Sequence, residues 1–355
     1  MFSAPSCVAY CTALITTLVS LTSMAEEKAI GHYLPGSVTT IADMTPTQPG
    51  WVIEPLLLNY QGAFNNNSYL SFNKQPTKQA YNAQIGIDSD VDLTIDAAAL
   101  VVIHTFDTSV LGADWSSGIV LPYVKTNIDI DITTQSTIDL DFNRPLNQFD
   151  GRYQRGSHIS IHDSDEGLGD VILIPAMLAW QSGYWTSTAQ LFIYTPTGSF
   201  DSDKLVNVGL NYWTLNPMLG LSYSNPNNGF NSSVYAGVTL NSENTDTDYK
   251  SGSVVHIDAS VQQLLPLGDG FIGIGAMFYL YDQFTDDSGS GASLGSFKSY
   301  SAGMGPVLSY IIPLVPASRH QKAETLVFEL RWLQEQNTEN KFNGDYLWAK
   351  AVWQF

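Results

Sequence analysis

The sequence predicts an all-β chain: an antiparallel transmembrane β-barrel of about 12 strands, of the outer-membrane type. Three observations predict it. Segment after segment alternates between an apolar face and a mixed face. The gaps between those segments alternate between long and short. The last segment runs without a break to a terminal aromatic, Phe355. In it Leu347, Ala349, Ala351, Trp353 and Phe355 share one face, and Tyr346, Trp348, Lys350, Val352 and Gln354 share the other. A period of two is the period of a strand.

Composition agrees. The 355 residues are 44% hydrophobic and only 14% charged, against about 25% charged in a soluble domain. Fifteen Lys and Arg face 34 Asp and Glu, a net charge of −19. Polyphosphate binding needs a basic face, so nucleic acid is excluded as an expected partner. An acidic exterior suits a surface where divalent cations bridge anionic groups, as in a lipopolysaccharide leaflet.

Taken in order, the chain opens with an apolar, small-residue stretch that ends Ser23-Met24-Ala25 before Glu26-Glu27. Residues 1–25 read as a signal peptide cleaved near Ala25, although no Lys or Arg precedes the apolar run. Cys7 and Cys11 both fall within it, which leaves the exported chain no thiol chemistry. No later stretch approaches the length of an apolar membrane helix. Residues 26–50 carry Tyr33, Pro35, Pro46 and Pro49 and cannot form a membrane strand. They are expected either to fold into the lumen as a plug or to lie in the periplasm. Residues 51–355 form the barrel.

The strand candidates are 51–62, 97–106, 116–128, 170–180, 185–194, 211–223, 231–241, 253–265, 271–284, 300–312, 325–336 and 345–355. Several alternate cleanly. Val255, Ile257, Ala259 and Val261 oppose His256, Asp258, Ser260 and Gln262; Leu326, Phe328, Leu330 and Trp332 oppose Val327, Glu329, Arg331 and Leu333. In a soluble sandwich the polar face looks out to water. In a membrane barrel the apolar face meets lipid and the polar face meets the lumen.

Alternation is blind to that inversion, but gap lengths are not. The gaps 63–96, 129–169, 195–210, 242–252 and 285–299 are long, and 107–115, 181–184, 224–230, 266–270 and 313–324 are short. Long outside loops and short periplasmic turns are the asymmetry of an outer-membrane barrel with both ends in the periplasm. The gap 337–344 should be long and is moderate. Aromatics near strand ends (Trp51, Tyr60, Tyr184, Trp185, Tyr194, Tyr212, Trp213, Trp353, Phe355) fit interfacial belts, with aromatic packing within hairpins as the alternative.

Candidate chemistry is sparse. On 158–166, in an expected outside loop, His158, His162, Asp163 and Asp165 form a metal-like cluster that also reads as a solvated polar loop. His256, Asp258 and Ser260 fall on an expected lumen face. They hint at a hydrolase, yet residues two apart on a strand point in parallel and a triad needs other strands. Glu329, Arg331 and Lys350 should line the lumen on the last two strands as a cross-strand acid–base ladder. No cofactor motif is present.

Gly31-His32-Tyr33-Leu34-Pro35-Gly36, Pro49-Gly50-Trp51, Leu121-Pro122-Tyr123, Gly167-Leu168-Gly169-Asp170, Tyr194-Thr195-Pro196-Thr197-Gly198 and Asn211-Tyr212-Trp213 run in this order through the chain. In these stretches the sequence resembles the outer-membrane family named for the MetA pathway of phenol degradation, also called SphA-like. The resemblance implies a barrel transporter for hydrophobic or aromatic compounds and brings no catalytic residues. The expectation is a non-enzymatic, passive channel in the outer membrane of a Gram-negative bacterium. Its partners would be a small-molecule solute, outer-membrane lipids with lipopolysaccharide, and the barrel-assembly machinery, engaged through the strand ending at Phe355. An outer-membrane hydrolase using His256 and a structural or adhesive barrel are the alternatives.

Overall fold

A computed structural model describes residues 26–27, 30–74, 80–142, 149–292, 297–315 and 323–355. The expected signal peptide, with both cysteines, lies outside the described residues.

The chain forms β1 (Gly50–Lys74), β2 (Ala80–Val110), β3 (Ala113–Phe142), β4 (Phe149–Leu168), β5 (Ile172–Ser182), β6 (Trp185–Tyr194), β7 (Thr214–Asn225), β8 (Phe230–Asn241), β9 (Val254–Leu267), β10 (Gly270–Gln283), β11 (Tyr300–Val315), β12 (Glu324–Glu339) and β13 (Asn343–Gln354). All pairings are antiparallel. β3 pairs with β5 over its first half and with β4 over its second, and β13 returns to pair with β1. Twelve strands therefore close a ring, with β4 as an outward continuation of β5. Closure pairs both edges of each strand within the ring, the condition for a sheet to cross lipid. The last residue takes part: Trp51 N donates to Phe355 O at 2.8 Å and Phe355 N to Trp51 O at 3.0 Å.

The inversion is present. Ile257, Val261, Ile274, Phe278, Phe328, Leu330 and Trp332 are exposed on the outside of the ring, while His256, Asp258, Gln262, Glu329 and Arg331 are buried inside it. Strands of 10–16 residues from β5 to β13 suffice to cross a bilayer. Trp51, Tyr184, Trp185, Trp213 and Trp353 are exposed near strand ends, as belts require. Tyr60, Tyr194 and Tyr212 are not belt residues. They are buried inside, where the Tyr60 hydroxyl donates to Glu335 Oε2 at 3.1 Å.

The two longest expected loops are corrected. Residues 63–96 and 129–169 are chiefly strand: β1–β2 and β3–β4 are hairpins of 20–31-residue strands that continue far beyond the membrane. The physical reason is a second amphipathic register. Ile87, Val91, Leu93 and Ile95 on β2, with Ile128, Ile130 and Ile132 on β3, are buried and join one apolar cluster with Val206, Leu333 and Phe342 at the outer mouth. Asp90, Asp92, Asp129 and Asp131 take the solvent face. The β12–β13 connection, moderate in the sequence and not long as the parity of the gaps asks, is a tight turn over residues 340–342.

Candidate transport pathway in the barrel lumen

Residues 30–49 run inside the ring from its outer end to the start of β1 at the inner rim. They bind one side of it. His32 sits between Thr214 Oγ1 (2.7 Å) and Asp170 Oδ2 (3.0 Å) and stacks on Tyr194. Tyr33 stacks on His256 with ring centroids 3.5 Å apart and donates its hydroxyl to Asp258. Gly36 N donates to the other Asp258 oxygen at 2.8 Å. Gly36 has φ +78°, and a Cβ there would meet Leu333 Cδ1 at 2.2 Å, so the turn demands glycine. Further down, Ser260 Oγ donates to Thr39 O at 2.6 Å, Ile41 N to Gln262 Oε1 at 3.0 Å, and Gln190 Nε2 to Thr45 Oγ1 at 2.6 Å.

Asp43 is the electrostatic centre of this contact. It pairs with both Arg331 and Lys350. Arg331 also holds Glu329 Oε1 (2.6 Å) and Gly36 O (2.8 Å), and Lys350 also holds Ser37 O (3.0 Å) and Glu54 Oε1 (3.3 Å). Arg331 is 1% exposed and Glu329 2%. Buried charges persist only when paired and hydrogen-bonded, and here each cation is shared between the barrel wall and the luminal segment.

The other side of the lumen is apolar. On β1, β2, β3 and β5 the inward positions include Val52, Val101, Ile103, Val120, Ile174 and Met177. They border a cavity of about 640 Å³ between the wall and the luminal segment. Its lining reaches from Asn207, Val208 and Leu210 near the outer loop to Gln181, Ser224 and Gln354 at the inner rim. Polar and charged groups line it as well: Asp43, Glu54 and Lys350, with Gln190, Ser222 and Tyr235.

At the outer rim Asp170 gathers a loop. Its Oδ1 accepts from Thr197 N (2.9 Å) and Gly198 N (2.8 Å), and its Oδ2 accepts from Leu210 N (2.7 Å). Gly198 is packed so tightly that a Cβ would lie 2.7 Å from Gly209 Cα and 3.0 Å from Gly169 C. Two of the stretches that carried the family resemblance, 167–170 and 194–198, thus meet at one carboxylate.

The sequence-predicted residues fall as follows. His256, Asp258 and Ser260 face inward on β9 and Glu329, Arg331 and Lys350 inward on β12 and β13, all against the luminal segment. Glu329 and Lys350 are register partners, yet they pair with other groups: Glu329 with Arg331, and Lys350 with Asp43, which also binds Arg331. His256 Nε2 bonds Asn216 Oδ1 at 2.9 Å, and its Nδ1 lies 3.7 Å from Asp258. Ser260 is engaged by Ser233 and Thr39, so His256 and Ser260 are not brought together as base and nucleophile. The metal-like cluster is split by the strand it lies on. His158 and His162 point outward, to Asp131 (3.4 Å) and Asp129 (2.7 Å). Asp163 points to the opposite side and accepts from Leu205 N at 2.7 Å, and Asp165 binds Lys204 and Val208 N. No group of three or more His, Cys, Asp or Glu is arranged to hold a metal among the described residues.

Sequence reasoning missed the roles of Asp43 and Tyr33. Asp43 had a signal: a lone carboxylate in a proline-flanked segment that cannot be a strand needs a cation if the segment is buried.

With this geometry in view, comparison with known proteins is informative. The family model described as putative MetA-pathway of phenol degradation matches residues 71–351. The chain belongs to this family. Among solved structures, an outer-membrane channel from Pseudomonas putida F1 is similar to 91% of this chain and 100% of its own, with TM-score 0.56 and 12% identity, which shows that the family fold here is an outer-membrane barrel. The CymD monoaromatic hydrocarbon channel aligns over 88% of this chain and 90% of its own at TM-score 0.34 and 7% identity. A Pseudomonas aeruginosa FadL homologue aligns over 85% and 89% at 0.34 and 8%. No curated protein matches. The ring turns an apolar belt outward, as a barrel that crosses a membrane does.

Proposed function

We propose that the protein is a passive outer-membrane channel for small hydrophobic or aromatic compounds. The luminal segment acts as a partial plug, pinned to the polar wall by hydrogen bonds and ion pairs and meeting the apolar wall through Ile41 and Ala42, with the cavity beside them. One observation carries this reading: the two-sided lumen, whose cavity of about 640 Å³ follows the apolar side from outer loop to inner rim. Apolar cavities of only about 150 Å³ accept benzene, so a substituted aromatic ring has room to pass. A hydrated ion or sugar would lose water against Val101, Ile103 and Ile174, and the charged groups that also line the cavity, Asp43, Glu54 and Lys350, are already paired with one another. Release is lateral or periplasmic, and no energy-coupling motif is present.

Two finer partners belong to the same reading. Lipopolysaccharide is the expected outer-leaflet lipid around the ring, supported by the acidic solvent face of the β1–β4 hairpins. The strand ending at Phe355 is the expected contact of the barrel-assembly machinery, supported by its place as the strand that closes the ring.

The test is uptake by vesicles that contain the purified protein, comparing a radiolabelled monoaromatic hydrocarbon with a sugar of similar size. Wild-type protein should admit the hydrocarbon in preference to the sugar. Ala99→Trp, which fills the lining, should abolish the preference with heat-modifiable migration intact. Equal uptake with and without protein would refute the reading.

A further inference from the structure

At the outer end of the luminal segment, the backbone nitrogen of Glu26 donates to Asp287 Oδ2 at 3.0 Å. Asp287 is 8% exposed. Its other donors are Gly252 N (2.7 Å), Gln283 Nε2 (2.8 Å) and the Tyr249 hydroxyl (2.6 Å). Burial, followed by its bond to Asp287, raises the Tyr249 phenol above the ordinary tyrosine value, so it stays a neutral donor. All four donors are therefore neutral as the chain is written. Among the described residues no Lys, Arg or His forms an ion pair with Asp287. The nearby Lys341 is directed at Glu26 Oε2, 3.6 Å away, and lies over the Tyr281 ring. A buried carboxylate of this kind calls for a cation.

The position of the nitrogen supplies one. Glu26 directly follows Ser23-Met24-Ala25, the small-residue pattern of a leader cleavage site. Glu26 also has φ +64°, a conformation that sets Cβ against the preceding carbonyl and that non-glycine residues rarely adopt. Removing residue 25 removes that carbonyl and the cost with it.

We propose that the Ala25–Glu26 bond is the processing site and that the α-ammonium it releases is the counter-ion of Asp287. A leader peptidase adds water across the peptide bond. The hydroxyl goes to the Ala25 carbonyl, which leaves as a carboxylate, and the Glu26 nitrogen takes the protons and becomes –NH₃⁺. No atom of the barrel needs to move, because the nitrogen already lies at ion-pair distance. Processing thereby fixes the outer end of the luminal segment, as Asp43 fixes its inner part. A cut even one residue away would displace the charge by about 3.8 Å and leave Asp287 unpaired.

The experiment uses protein purified from outer membranes in detergent. Intact mass spectrometry reads the mature start. Reductive methylation of native and of boiled, unfolded protein, followed by peptide mass spectrometry, reads the reactivity of the α-amine. The expected start is Glu26, and the α-amine should label about tenfold more slowly in the folded protein, because pairing with a buried carboxylate favours the unreactive charged form. Asp287→Asn keeps the hydrogen-bonding shape and should restore most of the labelling while heat-modifiable migration persists. A mature start elsewhere, equal labelling of folded and unfolded wild type, or labelling unchanged by Asp287→Asn would each overturn the proposal.

Discussion

Asp43 and Lys350 form an ion pair across the boundary between the luminal segment and the barrel wall. Arg331 completes the site from the neighbouring strand. The pair couples two things that the sequence presents separately: the closure of the ring by β13 and the seating of residues 30–49.

Asp43→Asn should unseat the segment without unfolding the ring. The substitution leaves two buried cations short of a carboxylate, and breaking a buried pair from one side costs about 3–5 kcal/mol. The strand ladders are untouched, so heat-modifiable migration should survive. Single-channel conductance should rise from near zero to a resolvable level, and chymotrypsin should gain access to the segment at Tyr33. Unchanged conductance would show that the segment is held by its hydrogen bonds alone.

Tyr33→Phe tests the second anchor. The ring still stacks on His256, but Asp258 loses the phenol donor and keeps only Gly36 N among the luminal contacts. Leaving a buried acceptor short of a partner costs about 1–3 kcal/mol. The temperature at which the folded band converts to the unfolded band should fall. Tyr33→Leu, which also removes the stacked ring, should lower it further.

Ile130→Asp tests whether the outer hairpins are independent of the ring. Ile130 is 1% exposed within the cluster that joins β2 and β3 to Val206 and Phe342. An unpaired carboxylate cannot be buried there, so the hairpins should splay. Limited proteolysis should then cut the β1–β4 extensions, with the 12-strand ring still migrating as a folded species.

The ring itself was legible because alternation and gap parity are properties of hydrogen-bonded hairpins in lipid, and both are written locally. His256, Asp258, Glu329, Arg331 and Lys350 could be assigned to one face for the same reason. Their partners could not. Asp43 and Tyr33 lie some two to three hundred residues away in a segment without periodicity, and nothing local ties Asp43 to Lys350. The outer extents of β2 and β3 were misjudged for a different reason. Asp88, Asp90, Asp92, Asp129 and Asp131 read as loop composition, although Val91, Leu93, Ile130 and Ile132 kept the period of two between them. Acidic residues end a strand in lipid but not one that has already left it.

Asp163 sets the pH behaviour of the outer loop. Its carboxylate accepts from Leu205 N, Ser164 N and Val206 N. Partial burial pushes the carboxyl upward, but these backbone donors, with Lys204 nearby, outweigh it and hold the group below the ordinary aspartate value. With the folded value depressed, the contribution to stability is present above the unfolded value of about 3.9. It is lost only as the pH falls through the lower, folded value. Protection of the 199–210 loop from an acid-tolerant protease should therefore hold from neutral pH down to about 4 and fail below it. Asp163→Asn cannot lose a proton and is a weaker acceptor, so its loop should be more readily cut at neutral pH and show a flatter acid profile. If wild type lost protection near pH 6 instead, a histidine rather than Asp163 would govern the loop.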